Sequence, residues 1–401
     1  MGGAEVPVKI ASAAISPFAV SLCMVAGVFV ARWTIPALLK GSDYIFADLK
    51  ENQHLMVWGV LAGALWAVAN TLTVFAIRDV GLAIAFPLWN TNCLVGIFWG
   101  WLLFNELKGA SLRNWLKVLG GTLAILLAAL MLAYSTMHGS HIAPAHAREG
   151  ILAAIGASLM WGTMYIPYRK AYLSGMNPLS FVTVFTVGEL GMMLLLSVTL
   201  RGGFHPLFTE LRAAHAALFW LFLGGFCWVI GDLFQQYSTK YVGIGRAIPL
   251  SNTNQLWGLA WGVLVFGGLA ATGLTHHVII VSGSLVMLLG TLAISTSTAS
   301  NEEHSSTRQA ILRECDRYSL DHLRVLRAQT GESSAGRAAT DRRWWDYLIA
   351  IVASGIFAAL AVKAERPSLP MHMLWASGLL FLLLLTFVGA GWWLWKKTRF
   401  C

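Results

Sequence analysis

The chain is 401 residues long, with 57% hydrophobic residues, 12% charged residues and a mean hydropathy of +0.65. A soluble domain carries about twice that share of charge, so the composition requires an all-α polytopic membrane protein. The formal charge of +9 does not point to nucleic acid, because the basic residues lie mostly in short loops between apolar runs, where they set orientation.

Met1 to Ala11 is polar and no cleavage-site pattern follows it, so the first apolar run reads as a retained helix. A span takes about 20 apolar residues. Runs of that length lie at roughly 16–38, 55–77, 80–105, 116–136, 150–168, 179–200, 214–237, 241–267 and 276–296, and two more follow at 345–363 and 371–395. Between these two groups, residues 297–343 are polar and rich in Ser and Arg. Ile311, Leu312, Cys315, Leu323 and Leu326 recur there at near-helical spacing, which predicts one short amphipathic helix on the cytoplasmic face. A solvated linker is favoured for it over a regulatory or partner-binding segment. Lys40 and Lys50, then Lys108, Arg113 and Lys117, then Arg169 and Lys170, then Lys240, put every second loop in the cytoplasm. Lys396, Lys397 and Arg399 at the C-terminus fall on the same side, and the N-terminus on the other. The cysteines (Cys23, Cys93, Cys227, Cys315, Cys401) have no Cys-x-x-Cys spacing, and neither a disulfide nor a metal site is expected.

The run from Gly81 to Phe104 is written a second time from Gly243 to Phe266. Pro87 and Pro249, Asn90-Thr91-Asn92 and Asn252-Thr253-Asn254, Gly96 and Gly258, and Trp99-Gly100 and Trp261-Gly262 align at one constant offset. That offset also joins Trp66 to Trp228 and Asn70 to Asp232. After a longer loop in the second copy, Gly121–Ile125 recurs as Gly290–Ile294. This is an internal repeat. It divides the chain into a first repeat (1–137), a second repeat (149–296), a polar segment (297–343) and a C-terminal transmembrane hairpin (344–401). The units have about four and five helices, because the partner of the run at 150–168 would precede Met1. The first unit lacks its opening helix, which points to a chain that begins further upstream. The gap beside the helix at 16–38 would be open to lipid, filled by a C-terminal helix, or closed by a second protomer, as in a homodimer. The two copies of the Pro-Asn run are expected to be antiparallel, with a pseudo-two-fold axis in the membrane plane.

Pro87 and Pro249 each break an apolar run about two turns in, and amides follow immediately. Broken helices with polar groups at bilayer depth, in matching places of two halves, predict a central solute site. The binding candidates are Trp66, Asn70, Asn90, Thr91, Trp228, Asn252, Thr253 and Gln255. Asn92 and Asn254 precede Gly-x-x-x-Gly faces and are read as helix contacts. An indole face beside amides suits a sugar ring, although core packing of Trp66 and Trp228 stays open. Arg32, Glu189, Asp232 and Arg246 are ionisable groups at membrane depth. Glu189 and Asp232 are candidates for proton coupling, or else for permanent pairing with a group such as Arg246.

These residues resemble the drug/metabolite transporter superfamily, and within it the glucose/ribose porter family. The resemblance lies in Trp66 to Asn70, Pro87 to Asn92 with Gly96, Phe104-Asn105-Glu106-Leu107, and Trp228-Val-Ile-Gly-Asp232-Leu-Phe, where Asp232 replaces an Asn. It covers roughly residues 12–296. It implies two five-helix units of opposite topology and a secondary active transporter that moves a small polar solute by alternating access, with a sugar favoured and proton symport in view. Export of drugs or metabolites is the alternative within the superfamily. No G-x-x-x-x-G-K-[ST] loop occurs, so direct ATP coupling is not expected. A membrane-embedded transferase would cluster carboxylates or histidines at one face. Here His138, His141 and His146 share one loop without ligand spacing, and His276 and His277 lie in another. No catalytic residue, cofactor or metal is expected. The expected partners are a small solute and the lipid bilayer, and the expected location is the inner cell membrane.

Overall fold

The computed structural model describes residues 15–80, 82–135, 147–267, 274–330, 342–365, 371–398 and 400. The opening Met1 to Ala11, the loop with His138, His141 and His146, and Cys401 lie outside the described residues. With no water in the bilayer core, each span must satisfy its own backbone, and the apolar runs do so as helices. The first repeat holds α1 (Pro17–Lys40), α2 (Asp43–Glu51), α3 (Gln53–Val80), α4 (Leu82–Trp89), α5 (Asn92–Phe104) and α6 (Leu112–Ser135). The second holds α7 (Ala147–Thr163), α8 (Tyr165–Leu173), α9 (Pro178–Leu200), α10 (Phe204–Ala213), α11 (His215–Val242), α12 (Ile244–Ser251), α13 (Asn254–Ala260) with a π turn at Trp261–Val265, and α14 (Leu274–Ser295). Then follow α15 (Asn301–Tyr318), α16 (His322–Thr330), α17 (Trp344–Val362) and α18 (Met373–Thr398). Among the described residues, nine helices are long and apolar enough to cross a membrane. The two runs with Pro87 and Pro249 are each split into shorter helices at the Pro-Asn sequence.

The repeats interlock through glycines. A Cβ on Gly63 of α3 would stand 2.0 Å from the Phe185 carbonyl oxygen of α9, and one on Gly188 of α9 would stand 2.0 Å from that of Val60. The same contact recurs between α11 and α1, where a Cβ on Gly225 would lie 1.9 Å from the Met24 oxygen and one on Gly27 2.1 Å from that of Phe222. Gly63 and Gly225 are repeat mates. Each tight pair therefore joins one helix from each half.

The inversion is visible where the equivalent runs of the two repeats meet. Gly96 packs on Ile248 and Gly100 on Gly245, so α5 and α12 are antiparallel. Gly121 lies against Gly290, while Gly283 lies against Met131 and Leu132, so α6 and α14 are antiparallel too. Gly121 faces Ala293 and Ile294, and Gly290 faces Ala124 and Ile125. That exchange of equivalent neighbours is the signature of a pseudo-two-fold axis.

The opening helix of the second repeat, α7, covers α3 and α5. The corresponding faces of α11 and the π turn are met by α18: Phe387 stacks on Phe234 at 5.9 Å, and His372 N donates to Val265 O at 2.9 Å. Among the described residues, a C-terminal helix, one of the three expected closures, stands there. Beside it, α17 packs Phe357 against Phe222 and Phe226. The polar segment differs from the expected single helix, because it folds as α15 and α16. Ile311, Cys315 and Val325 are buried with Leu173, whereas Leu323 is exposed. The turn after Tyr318 rotates Leu323 out of the apolar face.

Gly225→Ala should destabilise the fold by about 1–3 kcal/mol, because backbone stands where the methyl would go. Gly120→Ala, which meets nothing within 4 Å, should be neutral or stabilising by up to about 1 kcal/mol. Thermal unfolding in detergent, followed by tryptophan fluorescence, checks both. Equal effects at the two positions would contradict the interlock.

Candidate functional site

The two breaks face each other. Asn252 Nδ2 donates to Asn90 O and to Asn92 Oδ1, each at 3.4 Å. Thr91 Oγ1 donates to Leu88 O at 2.6 Å, and Thr253 Oγ1 to Leu250 O at 2.7 Å. These are the same device in both copies, in which a side chain takes up a carbonyl near the proline. Thr91 also meets Ser158 Oγ of α7 at 2.8 Å.

Next to the breaks lies a cavity of about 290 Å³, lined by Trp66, Asn70, Asn90, Asn92, Trp228, Asn252, Asn254 and Gln255 of the repeats. It extends past the breaks to Ser21 of α1 and Asn70 of α3, away from the ends that carry Lys40, Lys50 and Lys240. Thr91 and Thr253 do not line it, because their hydroxyls are committed to the backbone. Asn92 and Asn254, read as helix contacts, do line it. Trp89, Trp161, Tyr165 and Gln235 complete the wall. Trp66 and Trp228, which are repeat mates, meet edge-on with centroids 6.2 Å apart, and Trp89 and Trp161 do the same at 6.2 Å. Gln235 Nε2 donates to the Tyr165 hydroxyl, and Asn70 Nδ2 to Ser21 Oγ at 3.0 Å. Two lining residues carry a buried polar atom with no protein partner among the described residues, the Trp161 Nε1 donor and the Gln255 Oε1 acceptor. Both atoms are shut off from the open space in this form, and because buried polar groups are ordinarily paired, each is left unsatisfied beside the cavity.

Glu189 and Asp232 are not in the cavity wall. They share Arg32, whose Nη1 donates to Glu189 Oε2 and Nη2 to Asp232 Oδ2, both at 2.9 Å. Arg246, the partner considered from sequence, is elsewhere and forms a bidentate pair with Glu303 of α15 at 2.6 and 3.0 Å. The cluster holds one cation and two carboxylates. Gln236 Nε2 donates to Asp232 Oδ1 at 2.8 Å, and its Oε1 accepts from the Tyr172 hydroxyl at 2.8 Å. Glu189 Oε1 has no partner among the described residues. Arg32 lies over the rings of Phe185 at 4.7 Å and Trp228 at 5.7 Å, so Trp228 is a wall shared by the cavity and the ion cluster.

On the basic face the halves are shut. Glu106, at the end of α5, accepts from Ile244 N at 2.9 Å and Gly245 N at 2.8 Å at the start of α12. Arg169 Nε lies 3.4 Å from the same carboxylate, and its Nη1 donates to Lys240 O at 2.7 Å. Helices α15 and α16 strap across this closure. Ser300 Oγ donates to Lys108 O, Arg324 pairs with Asp48 and Glu51, and Gln329 Nε2 donates to Tyr172 O. Burial raises the Asp48 carboxyl above its ordinary range, while Ser180, Asn177 and Arg324 lower it.

Sequence reasoning missed Glu106 and Arg169 as closing groups, and Trp89, Trp161, Tyr165 and Gln235 as lining. At the repeat's offset Trp161 has no mate in the given sequence and Tyr165 meets Gly3, so no repeat signal marks them.

The family model described as "Sugar transport protein" matches residues 10–135 and 152–315. A "Putative sugar uptake protein" of Lactobacillus johnsonii is 34% identical over 101 residues, which is 24% of this chain and 34% of that protein. The "Putative ribose uptake protein RbsU" of Staphylococcus epidermidis is 28% identical over 168 residues, covering 40% of this chain and 52% of its own. Its namesake in Staphylococcus aureus is 30% identical over 141 residues, covering 35% and 44%. The chain thus spans between a third and a half of the length of these curated relatives, which are named as uptake proteins and not as enzymes. With both repeats inside the matched residues, the chain belongs to the sugar transport protein family.

Proposed function

We propose that the chain takes up a sugar by alternating access, with the solute held at the two helix breaks and a proton carried by the Arg32 cluster. The observation that supports this most is the unpaired donor and acceptor, Trp161 Nε1 and Gln255 Oε1, in a wall that otherwise holds tryptophan faces and amides. A sugar offers apolar C–H faces to the indoles and hydroxyls that donate and accept at once. The names of the relatives favour uptake over export, and ribose is the first solute to test.

The basic face is taken as cytoplasmic by the positive-inside rule, which puts the C-terminus inside and the protein in the cell membrane. The cavity then opens away from the cytoplasm and the Glu106 closure is the inner gate. Uptake requires that gate to part while α4 and α13 close over the solute. In the cluster, two carboxylates compete for one guanidinium in a medium that penalises net charge. A proton on Glu189 or Asp232 removes the excess charge and leaves Arg32 with one partner, and the shared Trp228 links that change to solute contact.

Gln255→Met and Trp161→Phe each remove a polar atom that no protein group uses. Each should weaken solute affinity by roughly two- to tenfold; Gln255→Met should leave thermal stability unchanged, while Trp161→Phe also trims the ring contact with Trp89 and lowers it modestly. Binding of radiolabelled ribose and of other labelled sugars to the purified chain is the measurement, and unchanged affinity in both variants would move the site elsewhere.

Glu189→Gln and Asp232→Asn should abolish pH-driven accumulation in proteoliposomes while sparing solute counterflow, because exchange needs no net proton movement. Normal accumulation in both variants would remove proton coupling through these residues.

Glu106→Gln weakens two charge-assisted hydrogen bonds across the gate and should shift the population toward the inward-open form. With Ile248→Cys in a cysteine-free background as a probe of the buried α5–α12 contact, maleimide labelling from the basic face should rise severalfold. Labelling equal to that of the parent would show that Glu106 does not hold the gate.

A further inference from the structure

A second open volume among the described residues lies apart from the solute cavity. A groove of about 590 Å³ runs along the lipid-facing side of the α6–α14 seam. Its floor is bare backbone, since Gly120 has nothing within 4 Å of where its Cβ would be, and Gly121 and Gly290 press their main chains together. Leu116 and Leu289, 63% and 65% exposed, form its walls. No carboxylate is among its described lining residues, and its only charged groups are Arg113 and Lys117. These stand one turn apart on α6 at the basic-face end. Lys117 Nζ also donates to Thr296 O at 2.8 Å, which fixes the cation across the mouth of the groove at the end of α14.

From Arg113 to Ala124 the groove follows α6 for roughly 16 Å at 1.5 Å per residue. That is about half of the ~30 Å hydrocarbon core, the depth of one leaflet. Cations at headgroup level above an apolar channel of one-leaflet length are complementary to one kind of molecule. We propose that this groove binds an anionic phospholipid of the basic-face leaflet, with its phosphate between Arg113 and Lys117 and one acyl chain along Gly120, Gly121 and Gly290. The bound lipid seals the seam between the two repeats, where close backbone contact leaves little side chain to exclude neighbouring molecules. This site is independent of the solute cavity.

Native mass spectrometry of the full chain, with phosphatidylglycerol or phosphatidylcholine of identical acyl chains, tests the assignment. Arg113→Gln/Lys117→Gln should lose phosphatidylglycerol affinity by roughly tenfold or more and leave phosphatidylcholine unchanged. Arg113→Lys/Lys117→Arg, which keeps both charges, should retain it. Gly120→Leu, at an exposed helical position, fills the channel and should also lose phosphatidylglycerol, and melting temperatures of all variants report on folding. Parental phosphatidylglycerol binding in both the charge-removed and the Gly120→Leu variants would overturn the proposal. So would a Gly120→Leu chain that changes its dimer fraction with lipid adducts unaltered, because the groove would then hold a second copy of the chain.

Discussion

A backbone carbonyl left without a donor inside a bilayer costs several kcal/mol, and the architecture turns on two places where proline creates that problem. Pro87 and Pro249 have no N–H to give. At both places the helix ends two residues after the proline, and a threonine hydroxyl adds a second donor to a carbonyl at its last turn, Thr91 to Leu88 and Thr253 to Leu250. Because the repeats are inverted and packed antiparallel at α5 and α12, the two breaks meet. The amides that follow the prolines are thereby brought to one wall, and Asn252 reaches across to Asn90 and Asn92. The cavity is the space these breaks open.

Holding two broken helices in register takes a stiff frame, and the glycine contacts of α3 with α9 and α11 with α1 supply it. Each pair crosses between the repeats, so neither half has a complete core alone. The same frame brings together Arg32, Glu189 and Asp232, which come from α1, α9 and α11. The ion cluster and the cavity share Trp228, and the proposed link between proton and solute rests on that contact. At the basic face the closure rests on Glu106 and two backbone N–H groups, with the strap of α15 and α16 laid across it. A contact made of a few charge-assisted hydrogen bonds can part without unpacking the core, as a gate requires.

Much of this was legible in the chain because duplication writes each important feature twice. The Pro-Asn breaks, the Trp66 and Trp228 pair and the antiparallel arrangement all follow from aligned residues. The ion cluster was only partly legible. Arg32, Glu189 and Asp232 all stand out as charges in apolar runs, but their pairing does not, because Arg32 is distant in sequence and its repeat mate is Leu194. Local spacing pointed to Arg246 instead, which the strap claims through Glu303. The Gly-x-x-x-Gly faces mark Asn92 and Asn254 as helix contacts, and Asn92 does accept from Asn252 across the two breaks, but both asparagines also line the cavity. Thr91 and Thr253 look like solute ligands in a polar triplet, while in this form their hydroxyls donate to backbone carbonyls. The strap's two helices were read as one, since a turn at a Ser in left-handed conformation, Ser319 at φ 53°, leaves no Gly or Pro mark.

The account stands on the claim that the space between the two breaks is where solute binds. A structure determined with a bound sugar tests this most directly. The account predicts density for one sugar ring beside Trp66 and Trp228, with hydroxyls within hydrogen-bond distance of Gln255 Oε1 and Trp161 Nε1. A sugar bound with high occupancy anywhere else, with that space unchanged, would contradict it.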